Sequence, residues 1–587
     1  MTARLIIAAA TALLAAACSD PEPDAPIADP QTERTLGGGE IVGYSDGATG
    51  AQVWLGLPYA AAPQGDLRWR APQPAEPWTA TIEALSHAEP CPQLTNALNA
   101  EATGSEPGML IGSEDCLYVD VYAPPGAEPL EPRAESLEGE PGPLDYGRPV
   151  MMWIHGGANI WGYASQYDAA RLAAEQDVVV MVVQYRLGPL GFFAHPALSE
   201  DTPETLAPDG LGDPAGAANF AVLDLVAALR WARENAAQFG GDADRVTIFG
   251  ESAGGHNVAA LLASPLAEGL FHRAIVQSGS VVSAPLEGAR SGSEFAASEA
   301  AARFASESAE AAALRAAPLQ AIFDAYGNEG LSALPRMVED GVTIPEGGLF
   351  AAIEAGDWNR VPVITGANRD EMKLFNAFSE DLTERWFGTI IRTPDPDLYD
   401  AASDYPSRVW RALAVDTPAD AMIEQGHAEV WAYRFDWDEA GSVLFMDFSH
   451  LLGAAHAIEI PFVFNHFEFF GRLDGALFTD RNADGRSALA GAMGAYWAEF
   501  ARTGDPGSAG GPDWPAWSET GALMRFDSPA EGGPEVIEDR ETIERIAGDL
   551  AEDPRLTQDE RCAIVASFRD WWEAARETSA QIVGCET

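Results

Sequence analysis

The sequence predicts an α/β architecture, a central and mostly parallel sheet flanked by helices with helical cap insertions. Three observations lead there. Val150 to Ile154 and Val178 to Tyr185 are dense apolar runs bounded by turn residues, the pattern of strands buried on both faces of a parallel sheet. Ala221 to Phe239 then sets Val222, Leu225, Val226 and Leu229 at helical spacing and leads through Gly240-Gly241-Asp242 into another strand. That strand, Arg245 to Phe249, alternates β-branched and aromatic residues. It runs straight into Gly250-Glu251-Ser252-Ala253-Gly254 and an apolar helical stretch from Asn257 to Leu262. Strands interleaved with helices in this way build parallel sheets.

Taken from its start, the chain opens with Arg4 and a 13-residue apolar run, Leu5 to Ala17. Such a run is too short to span a bilayer and has the length of a signal peptide core. It ends at Leu14-Ala15-Ala16-Ala17-Cys18, which resembles a bacterial lipoprotein processing site with Cys18 as the lipidated first mature residue. Ala15-Ala16-Ala17 also fits ordinary secretory cleavage. Five cysteines bear on the choice: Cys18, Cys91, Cys116, Cys562 and Cys585. Lipidation of Cys18 leaves an even set for an oxidising compartment, whereas simple secretion leaves one over. The expectation is therefore residues 1–17 as signal peptide and an exported, cell-envelope protein. Its membrane contact would run only through a lipid at Cys18, and Ser19 after the cysteine resembles lipoproteins of the outer membrane.

Residues 18–36 are rich in Pro, Asp and Glu without apolar period, an acidic tether by composition. Folded sequence is expected over 37–587, opening with strands at Ile41-Val42 and Ala51 to Gly56. Pro124 to Gly147 is acidic and Pro-rich and reads as a surface insertion. After Gln277-Ser278-Gly279-Ser280, Ala-rich helical sequence from Ser293 to Tyr326 reads as cap material. The sheet pattern resumes at Val361 to Thr365 and Val430 to Phe435, and helices over Leu489 to Ala501 and Cys562 to Thr578 close the fold.

Composition narrows the functions. With 90 Asp and Glu against 35 Lys and Arg the net charge is −55, and Lys373 is the sole lysine. That balance argues against a nucleic-acid partner, because phosphate recognition needs a basic face. Apolar content of 47% with 16 Trp and 25 Phe supports a large core. No clustered ligand motif for a metal or cofactor is present, and no signature of an oligomeric state.

The chemistry gathers around Ser252. A serine on a sharp strand-to-helix turn stands exposed at the top of a sheet, and the sharp bend admits only small residues two positions to either side. Serine needs a base and an acid that orients the base. His456 lies in a small-residue loop, Gly453-Ala454-Ala455, ahead of an apolar run expected to be a strand; His450 competes with it. His256 reads as packing or capping on its own helix. For the acid, Asp370 and Glu371 follow the strand Val361 to Thr365, and chemistry alone does not separate them.

Five segments then carry a resemblance: SEDCLYV at Ser113 to Val119, WIHGGA at Trp153 to Ala158, FGESAGG at Phe249 to Gly255, GANRDE at Gly366 to Glu371 and GAAHAIEIPFVF at Gly453 to Phe464. In this order and spacing they resemble the type-B carboxylesterases, the carboxylesterase and cholinesterase family of the α/β-hydrolase fold. Tyr185 to Phe193 and Asp513 to Trp517 agree with it. The resemblance implies Ser252 as nucleophile, Glu371 as acid and His456 as base. It also implies an oxyanion hole from the N–H groups of Gly157, Ala158 and Ala253, Glu251 as a second acid near the serine, and a Cys91–Cys116 disulfide. The implied activity is hydrolysis of small to medium uncharged esters through an acyl-enzyme, without metal or cofactor. Amide, carbamate or thioester hydrolysis on the same machinery, and a non-catalytic binding protein, are the alternatives. Ala158 replaces the third glycine of the family motif, and Asn159-Ile160 stands where an aromatic is frequent. No tryptophan between Pro92 and Asp115 serves a quaternary ammonium. Cys562 and Cys585 are close enough in sequence for a local pair.

Overall fold

A computed structural model describes residues 25–585 apart from 97–98, 100–102, 131–146, 201–215, 292–309, 327–336, 387–389, 444 and 569–571. Cys18, the signal-like run, most of the expected insertion and the first half of the expected cap lie outside the described residues. Among the described residues the dominant element is an 11-stranded sheet. In chain order its strands are β1 (Tyr44–Ser45), β2 (Gln52–Pro58), β3 (Tyr118–Ala123), β4 (Arg148–Ile154), β5 (Val179–Val183), β6 (Gly241–Glu251), β7 (Arg273–Gln277), β8 (Val363–Asn368), β9 (Val430–Phe435), β10 (Ala522–Phe526) and β11 (Glu535–Glu538). In space they run β1-β2-β3-β5-β4-β6-β7-β8-β9-β10-β11. Pairing is parallel from β5 through β10 and antiparallel at both edges.

The two-residue period of a strand sends alternate side chains to opposite faces. Val150, Met152 and Ile154 of β4 therefore join one core with Val226 and Leu229, while Met151 and Trp153 join the other with Tyr496 and Phe500. The first core is covered by α1 (Phe220–Asn235) and α2 (Ala253–Ala263). A third core lies apart from the sheet. It packs α3 (Pro396–Arg411) against three C-terminal helices, α6 (Ile543–Glu552), α7 (Gln558–Ala566) and α8 (Glu573–Val583). Between them in the chain come α4 (Ile460–Phe464) and α5 (Ala483–Thr503).

Three expectations change. The tether ends earlier than residue 36, because Asp29 caps the short turn Pro30–Thr32 and its N–H donates to Gly43 O. Arg34 is then buried on Gln52 and on the carbonyl of Ala127. The apolar run after His456 is helix α4, with Pro461 in its first turn, where a missing N–H costs nothing. Cys562 to Thr578 is two helices instead of one. A continuous helix would hold Cys562 and Cys585 roughly 34 Å apart at 1.5 Å per residue, whereas their Cα atoms are 5.5 Å apart and their sulfurs bonded. Cys91 and Cys116 are also bonded, with Cα atoms 5.0 Å apart. Ala311–Arg315 and Leu319–Tyr326 are the described helices of the expected cap.

Candidate active site

Ser252 sits between β6 and α2 with φ 58° and ψ −123°. For a residue with a side chain that is a costly backbone, and it persists because its surroundings hold it. Ser252 N donates to Gln277 O at 2.9 Å, and His256 N donates back to Ser252 O at 2.9 Å. The flanking glycines have a steric cause. A Cβ on Gly250 would stand 2.5 Å from Ile154 O, and one on Gly254 would meet the same carbonyl. Beyond β4 the chain turns through Gly157 (φ 100°), Ala158 (φ 56°) and Asn159 (φ 60°). Among the described residues, no hydrogen bond leaves the N–H of Gly157, Ala158 or Ala253. Three amides of a tight loop and a helix N-terminus are thus available to a developing oxyanion.

The end of β8 separates the two acids that residue type alone left equivalent. Asp370 Oδ2 accepts from Arg369 at 2.7 Å and from Ala454 N at 3.0 Å, so it braces the histidine loop. Glu371 is fully buried, accepts from Asn368 N through Oε1 at 2.8 Å, and places Oε2 2.5 Å from His456 Nδ1. His450 belongs elsewhere: its Nε2 pairs with Thr393 at 3.3 Å and its carbonyl accepts from Lys373. His256, instead of bonding its own helix, has Nε2 on Val282 O at 2.7 Å. The structure therefore gathers Ser252, Glu371 and His456 with Gly157, Ala158, Ala253 and Glu251 at the carboxyl ends of the central strands.

Glu251 and a residue that sequence reasoning did not single out, Glu459, complete a buried acidic cluster. His456 Nε2 is 3.2 Å from Glu251 Oε1, near enough for an ion pair though not aligned as a hydrogen bond. Glu459 Oε2 accepts from Asn368 Nδ2 at 2.6 Å, and its Oε1 accepts from Gln277 at 3.4 Å. Its signal in the sequence is an acid three residues past the histidine. Burial works against a charged imidazole, yet the charges of Glu251 and Glu371 outweigh it and hold His456 up at about 9. Burial pushes Glu459 up to about 7 and Glu251 well above the usual carboxylate range. Among the described residues no group of His, Cys, Asp and Glu has a metal-holding arrangement.

Comparison with known proteins agrees with this geometry. A profile of the carboxylesterase family matches residues 30–387 and 378–542. The chain is 34% identical to para-nitrobenzyl esterase of Bacillus subtilis over 515 residues, which is 84% of this chain and 94% of that one. To human cocaine esterase it is 32% identical over 549 residues, 86% of this chain and 89% of that one. The solved structure of a PNB esterase superposes with TM-score 0.67 at 30% identity, covering 87% of this chain and 98% of the other. A carboxylesterase of Geobacillus stearothermophilus gives TM-score 0.66 at 30% identity over 86% and 98%. With the serine turn, the free amides and the buried acid–histidine pair already in place, these likenesses make the chain a member of the carboxylesterase family, a serine carboxylic-ester hydrolase of the α/β-hydrolase fold.

Proposed function

We propose that Ser252 is the nucleophile, His456 the base and Glu371 the acid that orients it. The observation that carries this is the 2.5 Å contact of His456 Nδ1 with Glu371 Oε2, which fixes the tautomer and leaves Nε2 beside Glu251, the residue next to Ser252 in the chain. In acylation Ser252 Oγ bonds to the ester carbonyl carbon while its proton passes to His456 Nε2, which gives up Glu251 for the serine. The carbonyl oxygen becomes an anion facing the N–H groups of Gly157, Ala158 and Ala253. Losing one such donor costs about 3 kcal/mol of transition-state stabilisation. The tetrahedral adduct collapses, the C–O bond to the alcohol breaks, and His456 returns its proton to the leaving alkoxide. Water then attacks the acyl-serine as His456 takes its proton; the second adduct collapses, the acyl C–Oγ bond breaks, and His456 returns the proton to Ser252 Oγ as the carboxylic acid leaves.

An uncharged ester fits best. Glu251, Glu371 and Glu459 are all buried beside the imidazole, so an anionic acyl group would bring one more charge into a site that already keeps water from its acids. Hydrolysis of p-nitrophenyl esters from C2 to C16, with the corresponding anilides alongside, tests the reading. Ester turnover lost in Ser252→Ala supports it; a folded native protein inert to every ester, or active only on anilides, refutes it. We further propose that the chain is exported and tethered by a lipid at Cys18, on the strength of the apolar run that precedes it. Labelled fatty acid should follow the native protein and not Cys18→Ser.

A further inference from the structure

His456 is held by more than its carboxylates. The Trp410 ring packs against it tilted by 41° with centroids 4.9 Å apart, and Phe375 packs tilted by 38° at 5.5 Å. Trp410 also donates through Nε1 to Gly279 O at 3.1 Å. A Cβ on Gly255 of the nucleophile helix α2 would meet the Gly279 backbone at 3.0 Å, so the loop that receives Trp410 packs on α2. One indole thus spans the base and the loop behind the serine. Trp410 also meets Trp572 edge to face, centroids 5.9 Å apart. Trp572 is buried in the third core, among α3, α6, α7 and α8.

The helices α6 to α8 that complete this core lie beyond the family match, which ends at residue 542. Three ties secure it to α3, the helix that carries Trp410 near its end. Arg408 pairs with Glu541 at 2.8 Å and with Asp549 at 2.5 Å. Tyr405 donates to Asp553 at 3.0 Å. Ile546, Leu550 and Phe568 pack against Tyr405 and Val409 within the same core. The Cys562–Cys585 disulfide closes the α7–α8 pair, with Trp572 between the two cysteines in sequence. Immediately after Trp410 the helix widens into a π turn, Ala412–Asp416, a departure from α geometry that is frequent where a side chain is aimed at a site.

We propose that the C-terminal helices α6 to α8 are a prop for the catalytic base, with Trp572 as a positioning residue that holds Trp410 against His456. The proposal rests on His456 being the base. Its physical content is that an imidazole passing a proton between Ser252 and the leaving alkoxide must keep its orientation, and two tilted aromatic rings packed against it limit its rotation. Trp572 acts on the base through Trp410.

The test compares p-nitrophenyl butyrate hydrolysis by the full chain and by Trp572→Ala, Trp572→Phe and the double variant Cys562→Ser/Cys585→Ser. For Trp572→Ala the expected result is kcat lowered about 10-fold with KM changed less than about 3-fold. The ascending limb of its pH profile should move down toward the ordinary imidazole value, because water entering beside the ring screens the carboxylates. Trp572→Phe should keep kcat within about 3-fold of native, since a ring still fills the site. The double cysteine variant should shift both readings in the direction of Trp572→Ala, by less. If Trp572→Ala does not fold, Trp572→Leu, which keeps bulk without a ring, replaces it under the same expectation. A folded variant with native kcat and native pH limb overturns the proposal. So does a Trp572→Phe protein as impaired as Trp572→Ala. Ser252→Ala in the same series separates the two failures. If it keeps activity the assignment of the site is wrong, and if it is dead while the Trp572 variants are native only the prop is wrong.

Discussion

Replacing Glu251 by glutamine removes a carboxyl 3.2 Å from His456 Nε2, and with it the negative charge that this buried group carries once it ionises, while keeping the side chain's size. In the native protein the imidazole is raised from 6.5 to about 9. That net rise survives an opposing pull from burial, and Glu251 heads the contacts that produce it, ahead of Glu371 and Glu459. A full charge within about 4 Å typically moves a neighbour's pKa by about 1 unit, worth about 1.4 kcal/mol. The sign follows from the base having to be neutral. With Glu251 gone the neutral form appears at lower pH, so the ascending limb of kcat/KM moves down by about 1 unit. At a pH below both limbs the variant should then show about a 10-fold gain relative to its own plateau. The assay is kcat/KM for p-nitrophenyl butyrate from pH 5 to pH 10, with each profile normalised to its plateau. A limb that stays put, or moves up, refutes the reasoning. It would mean that Glu251 holds a proton itself and contributes no charge, as a glutamine does.

Other perturbations probe neighbouring links. His456→Ala should cost at least about 10³-fold in kcat, whereas His450→Ala, whose ring faces Thr393, should stay within about 3-fold of native; steady-state turnover distinguishes them. Gly157→Ala forces a side chain onto φ 100° and against the Trp161 carbonyl; the oxyanion loop must move, and kcat should drop about 10²-fold with KM little changed. Glu459 binds its proton up to about pH 7 in the fold against 4.5 in its reference state. Through that window the native state holds more protons than the unfolded one, so its contribution to stability falls as pH rises. Denaturant unfolding at pH 5 and pH 8 should show the native protein losing a few kcal/mol more than Glu459→Gln over that interval. An equal loss in both would contradict the sign.

What was legible in the sequence was what depends on neighbours in the chain. The serine turn shows itself because glycine spacing, strand and helix lie within a dozen residues, and the parallel strands show as apolar runs. Asp370 and Glu371 could not be told apart by residue type, since both follow the same strand. Only the fold sends one to Arg369 and Ala454 and the other to His456. Ile460 to Phe464 looked like a strand because aromatic and β-branched residues dominate it; Pro461 was the local sign of a helix start. Arg34 and Asp29 hid in a stretch whose Pro and acid content reads as solvated, although Asp29-Pro30 is also a cap. Trp410, Phe375 and Trp572 could not be seen at all, because their role exists only where three distant segments meet.

The claim on which everything else depends is that Ser252 becomes covalently acylated. A fluorophosphonate, which transfers phosphorus to an activated serine and stalls there, reports that event by the mass of a single peptide. Incubated with the full chain, it should add one adduct on the peptide containing Ser252, abolish ester hydrolysis in proportion to labelling, and leave Ser252→Ala unlabelled. Label on another serine with activity lost in step, or full activity with Ser252 fully labelled, would contradict the account.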